Sequence, residues 1–381
     1  MACNGAAPSN DGAVAAPQDG GQSFVTDAGE AQARSDGGAP PMMDGGTVCT
    51  ESELTALEAA IAAALDAAAT STSVTSNPDF TVMLQTYDGR TFTFSHGTST
   101  PSTIYESAST SKWVTSTVIL NLVDKGTLTL ASRPHDLISW WAESNVTLES
   151  LLSFRSGFSR EAPCVNRPMP DYEACAKSTY DENPTPPPVG TVFQYSSSHM
   201  QIAGLMSMKA SGKTWEQLFA EFKTETGLFA HGAFDLPSAS NPRLAGGMHW
   251  RADEYLALLA KLALGEVLSD AMREQMFKNH RGNATLTTSP ALGGDIGEDW
   301  AYGLGNWLEC KTATAPNTYN CGEGHRNSSA GAYGSYPFID FDDRYFGIVA
   351  AEGRLGSGDE GVNIFRAAEP LVERWAAKHC P

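Results

Sequence analysis

A serine and a lysine three positions apart, Ser109 and Lys112, are the residues of this chain best suited to covalent chemistry. They stand at the start of an apolar stretch, residues 111–123, that predicts a helix, so both side chains lie on one face and can touch. A serine hydroxyl becomes a nucleophile when a base lies beside it, and the first amides of a helix stabilise negative charge. The pattern alone is common, however, and Lys112 could equally be a solvated helix lysine.

Four blocks in order along the chain give this pair a context. Residues 106–128 resemble the nucleophile helix of the class C β-lactamases and of related esterases and DD-peptidases. Residues 146–158 are similar to the T-L-x-x-L-L-x-H-x-S-G block of that family, and residues 246–248 to its later A-G-G turn. Residues 188–196 resemble its P-G-x-x-F-x-Y-S segment, which carries the catalytic tyrosine and aligns it with Tyr195. The alternative is that Tyr195 is only a core aromatic residue.

The family's third motif, a strand with K-T-G or H-x-G six residues before a further glycine, falls on residues 325–331. His325 stands in the place of the lysine or histidine, unless it is a surface loop residue. Asn327 replaces the glycine, and we expect its side chain to crowd the strand where an acyl group lies. The resemblance implies an oxyanion hole made by the backbone N–H groups of Ser109 and Ser328, or Ser329 if the register slips by one residue.

A second departure is Ser197, which stands where the family has an asparagine that contacts substrate and lysine. The resemblance implies a serine hydrolase of a small-molecule or peptide-like acyl substrate, with esterase ahead of DD-peptidase or D-aminopeptidase and β-lactamase last. Ser109 would form the acyl-enzyme, Lys112 and Tyr195 would move the protons, and water would then release the acid. The alternative is a catalytically weak or inactive cell-surface binding or sensor domain.

The elements around these motifs predict an α+β domain over residues 49–381. Thr50 with Glu53 forms a capping-box pattern before a helix, and Asp88-Gly89 joins two β-prone runs as a hairpin. A mainly helical middle part is interrupted by a Pro-rich loop over residues 161–190. Strands follow, including one over residues 302–308, and then a closing helix. The resemblance implies a β-lactamase and penicillin-binding-protein-like fold, an antiparallel sheet flanked by the terminal helices with a large helical insertion.

Composition bounds the partners and the compartment. The net charge of −19 argues against nucleic acid or an anionic membrane surface as a partner, and we expect a monomer.

Residues 1–48, rich in Gly, Ala, Pro, Asp and Ser, predict a disordered tether. The start Met-Ala-Cys resembles the mature start of a bacterial lipoprotein. We therefore expect lipidation of Cys3 and a periplasmic or cell-surface location; the alternative is that Cys3 is an ordinary exposed thiol. No metal or other cofactor is expected, since no metal-ligand spacing is visible.

The seven cysteines favour disulfides over reduced thiols in the cytosol. Two pairs close in sequence lie in loop-like stretches, Cys164 with Cys175 and Cys310 with Cys321. The resemblance adds a third pair, Cys49 with Cys380, because in that family the first and last helices pack side by side. Cys3 would then be the cysteine left over.

Overall fold

The computed structural model describes residues 47–71, 79–294, 296–310 and 325–380, and these described residues form one compact unit. The predicted tether, residues 1–48, lies outside the described residues except for its last two. Among the described residues, none of the helices is long and apolar enough to cross a membrane.

The secondary structure alternates between helices and short strands. The helices are α1 Glu51–Ala69, α2 Ser111–Asp124, α3 Pro134–Leu137, α4 Leu148–Leu152, α5 Tyr172–Asp181, α6 Ser198–Ser211, α7 Trp215–Thr226, α8 Ala252–Leu264, α9 Asp270–Phe277, α10 Pro290–Gly293 and α11 Gly358–Ala377. The strands are β1 Thr47–Val48, β2 Phe80–Thr86, β3 Thr91–His96, β4 Ile104–Glu106, β5 Val192–Gln194, β6 Ala233–Phe234, β7 Met248–Arg251, β8 Thr285–Thr288, β9 Ala301–Tyr302, β10 Trp307–Cys310, β11 His325–Ser328, β12 Tyr336–Asp340, β13 Tyr345–Ala351 and β14 His379–Cys380.

The local signals at the start of the chain act as predicted. Thr50 caps α1 and forms a full capping box with Glu53. The apolar positions of α1 at helical spacing are buried. Gly89 has a φ of 90° in the turn between β2 and β3, a left-handed conformation that glycine adopts without strain. The hairpin therefore forms at the position where the sequence indicates it.

A central antiparallel sheet carries the strands that border the site. Its strand order is β3-β2-β13-β12-β11-β10-β9. Helices α1 and α11 pack side by side against it, and α8 packs against β2, β12 and β13. Every residue of β13 is buried, which means that both faces of the sheet are covered. The α+β fold class with a large helical insertion is confirmed.

Two predicted elements are wrong in detail. The Pro-rich segment, residues 161–190, is not all loop, since it holds α5, whose first turn is capped by the carboxylate of Asp171. The predicted strand over residues 302–308 is two strands, β9 and β10, separated by a turn in which Gly305 has a φ of 82°. In both places a local capping or turn residue overrides the average composition of the segment.

Of the predicted disulfides, the one between Cys164 and Cys175 is present, with the two Cα atoms 5.6 Å apart. Cys49 also takes part in a disulfide. Antiparallel pairing of β1 with β14 sets Thr47 opposite Cys380, so the two ends of the unit meet. The side chains of Cys380 and Cys310 and the whole of Cys321 lie outside the described part of the chain. The other two pairings therefore stay predictions.

Candidate active site

Ser109 lies on a short 3₁₀ turn, Ala108–Thr110, that runs directly into α2. Ala108 has a φ of 43°, in the left-handed region, which costs an alanine roughly 1–2 kcal/mol. The turn is fixed from outside, because the N–H of Ser107 donates to the carbonyl of Met248 on β7 at 2.9 Å. The strained backbone immediately before Ser109 is therefore held in place by the neighbouring sheet of β4, β6 and β7.

Lys112 occupies the first turn of α2 and points at Ser109. Its Nζ lies 2.9 Å from the Ser109 Oγ and donates to the Ala245 carbonyl at 2.7 Å. The residue is only 3% exposed. Burial, with a smaller contribution from the nearby Arg243 cation and against the opposing effect of Glu161, lowers the pKa of Lys112 to about 7. Lys112 can therefore be a neutral amine near neutral pH, and it is a base within hydrogen-bonding distance of the serine.

Tyr195 follows β5 and closes the other side of Lys112. The lysine Nζ lies 4.7 Å from the centre of its ring, and the ring stacks on Trp307 at 4.9 Å. Burial raises the pKa of Tyr195 to about 12, although hydrogen bonding with the Ser109 side chain opposes this. The tyrosine therefore stays protonated when Lys112 is neutral, so the two groups divide into a base and a proton donor.

The end of β11 approaches the serine from the sheet. The Ser329 hydroxyl donates to the Ser109 carbonyl at 3.0 Å, a link that the sequence did not indicate. The Ser329 N–H donates to the Pro337 carbonyl at 3.1 Å, so it is not available to a substrate. Successive amides of a strand point to opposite neighbours, so the Ser328 N–H faces β10, where Ser328 is paired with Trp307. Both candidate amides therefore face sheet partners, and the oxyanion-hole role of Ser328 stays a prediction.

The two remaining positions of the third motif have different outcomes. His325 belongs to β11, where its backbone pairs with Cys310, but its side chain lies outside the described residues. Asn327 is 3% exposed and donates from Nδ2 to the Asn306 Oδ1 at 2.7 Å. The expectation that Asn327 crowds the acyl site is wrong, because its amide turns inward to a polar partner.

Two glycines allow the sheet and α2 to come this close. A Cβ on Gly305 would lie 2.0 Å from the Ser116 Oγ and 2.9 Å from the Lys112 carbonyl. A Cβ on Gly331 would lie 2.8 Å from the Ser107 carbonyl. Neither neighbour is the end of a long flexible side chain, so any larger residue at these positions would push the turn of Ser109 away from the sheet.

Ser197 has partners that the sequence reasoning missed. Its Oγ accepts from the Arg243 Nε at 3.2 Å and from Nη2 at 3.1 Å. Its N–H donates to the Glu161 carboxylate, which lies 3.8 Å from the Arg243 guanidinium. The sequence offered only their positions as a signal for these two residues. Glu161 closely follows the block at residues 146–158, and Arg243 precedes the Gly246-Gly247 turn. An ion pair therefore stands beside the serine that replaces the asparagine.

A pocket of about 540 Å³ opens beside Ser109 and Tyr195. Apolar side chains dominate its wall. They include Pro290, Ala291, Ile296, Trp300, Trp307 and Ala330. Among the lining residues that the structure describes, Asp359 is the one with a charged side chain. A pocket of this composition suits an uncharged, apolar group next to the reacting carbonyl.

Within the described ranges, no group of three His, Cys, Asp or Glu side chains could hold a metal ion. The polar side chains next to the Ser109 hydroxyl are those of Lys112 and Tyr195. A base and a proton donor beside a serine are parts that acyl-enzyme chemistry needs.

Comparison with known proteins identifies the family and the fold. Residues 81–370 match the family model described as Beta-lactamase. A search of curated proteins found no match. A putative β-lactamase from Bacteroides dorei DSM 17855 is 23% identical with a TM-score of 0.68, covering 86% of this chain and 99% of its own. D-amino acid amidase from Ochrobactrum anthropi SV3 is 15% identical with a TM-score of 0.62, covering 82% and 98%. EstCE1, a hydrolase with promiscuous acyltransferase activity, is 16% identical with a TM-score of 0.61, covering 83% and 98%.

Proposed function

We propose that this protein hydrolyses carboxylic esters with an apolar acyl group. The premise is that the chain belongs to the Beta-lactamase family and is, in general terms, a serine hydrolase. The observation that carries the ester preference is the apolar pocket beside Ser109. Penicillins and peptides ending in D-alanyl-D-alanine carry a free carboxylate, which needs a cationic partner when it is buried. The described lining offers Asp359 instead, so it supports an uncharged substrate.

In the proposed reaction, neutral Lys112 takes the proton of the Ser109 hydroxyl as its oxygen attacks the ester carbonyl. The family pattern assigns the oxyanion to the N–H groups of Ser109 and Ser328. Tyr195, with a pKa near 12, gives its proton to the leaving alkoxide and recovers it from Lys112. Water then attacks the acyl-enzyme with the same groups in reverse roles, which releases the acid and restores Ser109.

The polar contacts supply the orientation that this reaction needs. The Lys112 Nζ is held between the Ser109 Oγ and the Ala245 carbonyl, so a lone pair of the neutral amine can face the hydroxyl. The Tyr195 ring is held against Trp307. Both groups are fixed before substrate binds, and this lowers the reorganisation that the transition state requires.

The test is a substrate panel with purified protein and its Ser109→Ala variant. We expect p-nitrophenyl butyrate and hexanoate to be cleaved with a higher kcat/KM than nitrocefin, a D-alanyl-D-alanine peptide or D-phenylalanine amide. Faster turnover of any of the last three would refute the ester preference. If the wild-type protein is not labelled by a fluorophosphonate, the hydrolase itself is refuted and the binding-domain alternative stands.

We propose further that the protein is an exported lipoprotein that acts as a monomer and is tethered through Cys3. The disulfide between Cys164 and Cys175 supports an oxidising compartment. Mass spectrometry of the N-terminal peptide from the native host would detect the lipid, and an unmodified Cys3 thiol would refute the anchor.

A further inference from the structure

We propose that Glu161 and Arg243 are positioning residues that take over the place left by the family's asparagine, fixing Ser197 and acting on Lys112 with opposite charges. This inference rests on the proposed function, because it assigns a role in the same reaction. It concerns two residues that none of the sequence motifs includes.

Arg243 belongs to a segment that is fixed directly on the helix of the nucleophile. The Ala245 carbonyl accepts from the Lys112 Nζ at 2.7 Å, and the Leu244 carbonyl accepts from the Thr115 Oγ1 at 2.7 Å. Thr115 and Lys112 are both buried residues of α2. The backbone on which the Arg243 side chain stands therefore cannot move independently of Lys112.

The end of the Arg243 side chain is fixed as well. Its Nε and Nη2 both donate to the Ser197 Oγ, and its Nη2 lies 3.8 Å from a Glu161 carboxylate oxygen. The other carboxylate oxygen accepts from the Ser197 N–H. The Glu161 carboxylate therefore binds the Ser197 backbone N–H, and the Arg243 guanidinium binds the Ser197 hydroxyl. A planar guanidinium with two parallel donors suits this geometry in a way that a lysine would not.

Four titratable groups among the described residues act on or contact Lys112: Tyr195, His199, Arg243 and Glu161. Tyr195 is neutral at physiological pH, and burial lowers the pKa of His199 to about 4, so it is neutral too. Burial raises the pKa of Glu161, but the Ser197 N–H and Arg243 outweigh this and hold it below the usual value. The charged neighbours of the lysine are therefore one cation and one anion.

These two charges have opposite effects on the lysine. The Arg243 cation disfavours protonated Lys112 and lowers its pKa, whereas the Glu161 carboxylate raises it. If the neutral amine is the base, activity rises with pH through this pKa. Removing the cation should move that rise to higher pH, and removing the anion should move it to lower pH.

The experiment is the pH dependence of kcat/KM for p-nitrophenyl butyrate, read at the isosbestic wavelength of p-nitrophenol. We expect Arg243→Gln to raise the midpoint of the acidic limb by on the order of half to one pH unit, and Glu161→Gln to lower it by a similar amount. Arg243→Lys keeps the charge but loses the paired hydrogen bonds from Nε and Nη2 to the Ser197 Oγ. It should leave the midpoint in place and lower kcat by roughly threefold to tenfold.

The matched control is Arg133→Gln, which removes the same charge from an exposed arginine paired with Asp136. It should leave the midpoint unchanged. An unmoved midpoint in both Arg243→Gln and Glu161→Gln, or a shift of both in one direction, overturns the inference. If Arg243→Gln does not fold by circular dichroism, Glu161→Gln alone decides the sign. Retained fluorophosphonate labelling of Ser109 with unmoved midpoints refutes only this inference, whereas loss of labelling in the wild-type protein refutes the proposed function.

Discussion

Two sides of Ser109 differ in almost every physical property. On one side, Trp300, Trp307 and Ile296 form an apolar wall around a pocket of about 540 Å³. On the other side, Lys112 is buried next to the ion pair of Glu161 and Arg243. The apolar side can recognise a substrate by the area that it buries, and the polar side can fix the protonation state of the reacting groups. The difference indicates that substrate preference and catalytic competence can be altered separately.

The largest effect on hydrolysis is expected for substitution of Ser109, which lies between the two sides. Ser109→Ala should lower hydrolysis by at least about 10³-fold and abolish acyl-enzyme formation, because no other described hydroxyl has Lys112 at 2.9 Å. Ser109 is small and borders a pocket, so the fold should survive. Mass spectrometry of the labelled wild-type protein checks the site, and a label on another serine would show that the nucleophile is wrong.

The next largest effect is expected for Tyr195, on the polar side of Ser109. Tyr195→Phe keeps the ring that stacks on Trp307 and removes only the hydroxyl, so turnover should fall by at least about 10²-fold. Steady-state kinetics together with a thermal melt would separate chemistry from packing. Near-normal turnover would mean that Tyr195 is a packing residue and that the polar side works without it.

A smaller effect is expected on the apolar side. Ile296→Ala should lower kcat/KM for the hexanoate ester by roughly tenfold and leave the acetate ester almost unchanged, since only the longer chain buries the lost methylenes. The matched control is Ile104→Ala, which truncates an isoleucine that is exposed and does not line the pocket. Equal losses on both esters would show that this pocket does not hold the acyl chain.

The smallest effect on activity is expected for loss of the disulfide, which contacts neither Ser109 nor Lys112. Replacing Cys164 and Cys175 by serine should lower the free energy of unfolding by about 2 to 3 kcal/mol and change kcat little. Urea denaturation measures the first quantity. Non-reducing peptide mapping of the wild-type protein would test the pairings of Cys310 with Cys321 and Cys49 with Cys380. Cys3 found in an intramolecular bridge would exclude both that scheme and the lipid anchor.

The sequence predicts most of the frame and the centre of the site, because both depend on local patterns. The capping box of α1, the hairpin turn at Gly89 and the S-x-x-K spacing are each contained within a few residues. The family blocks align Tyr195 with a position that the structure brings against Lys112. The family and the fold class predicted from these patterns are confirmed by the family model and by the similar solved structures.

The rest depends on contacts between residues far apart in the chain. Arg243 meets Ser197 and Glu161 only after the helical part has packed, and the Ser329 hydroxyl reaches Ser109 across 220 positions. The inward turn of Asn327 requires Asn306 as its partner. The apolar pocket combines segments that carry no common motif. In each case the decisive interaction has no periodicity or spacing in the sequence from which it could be inferred.

The left-handed backbone of Ala108 has a consequence for how the protein can evolve. A glycine there would relieve strain that costs alanine about 1–2 kcal/mol, so a search for thermostable variants should find this position early. The same glycine would free the peptide that precedes Ser109 and widen the range of positions of its hydroxyl. Selection for heat resistance and selection for turnover therefore act in opposite directions on the one residue that directly precedes Ser109.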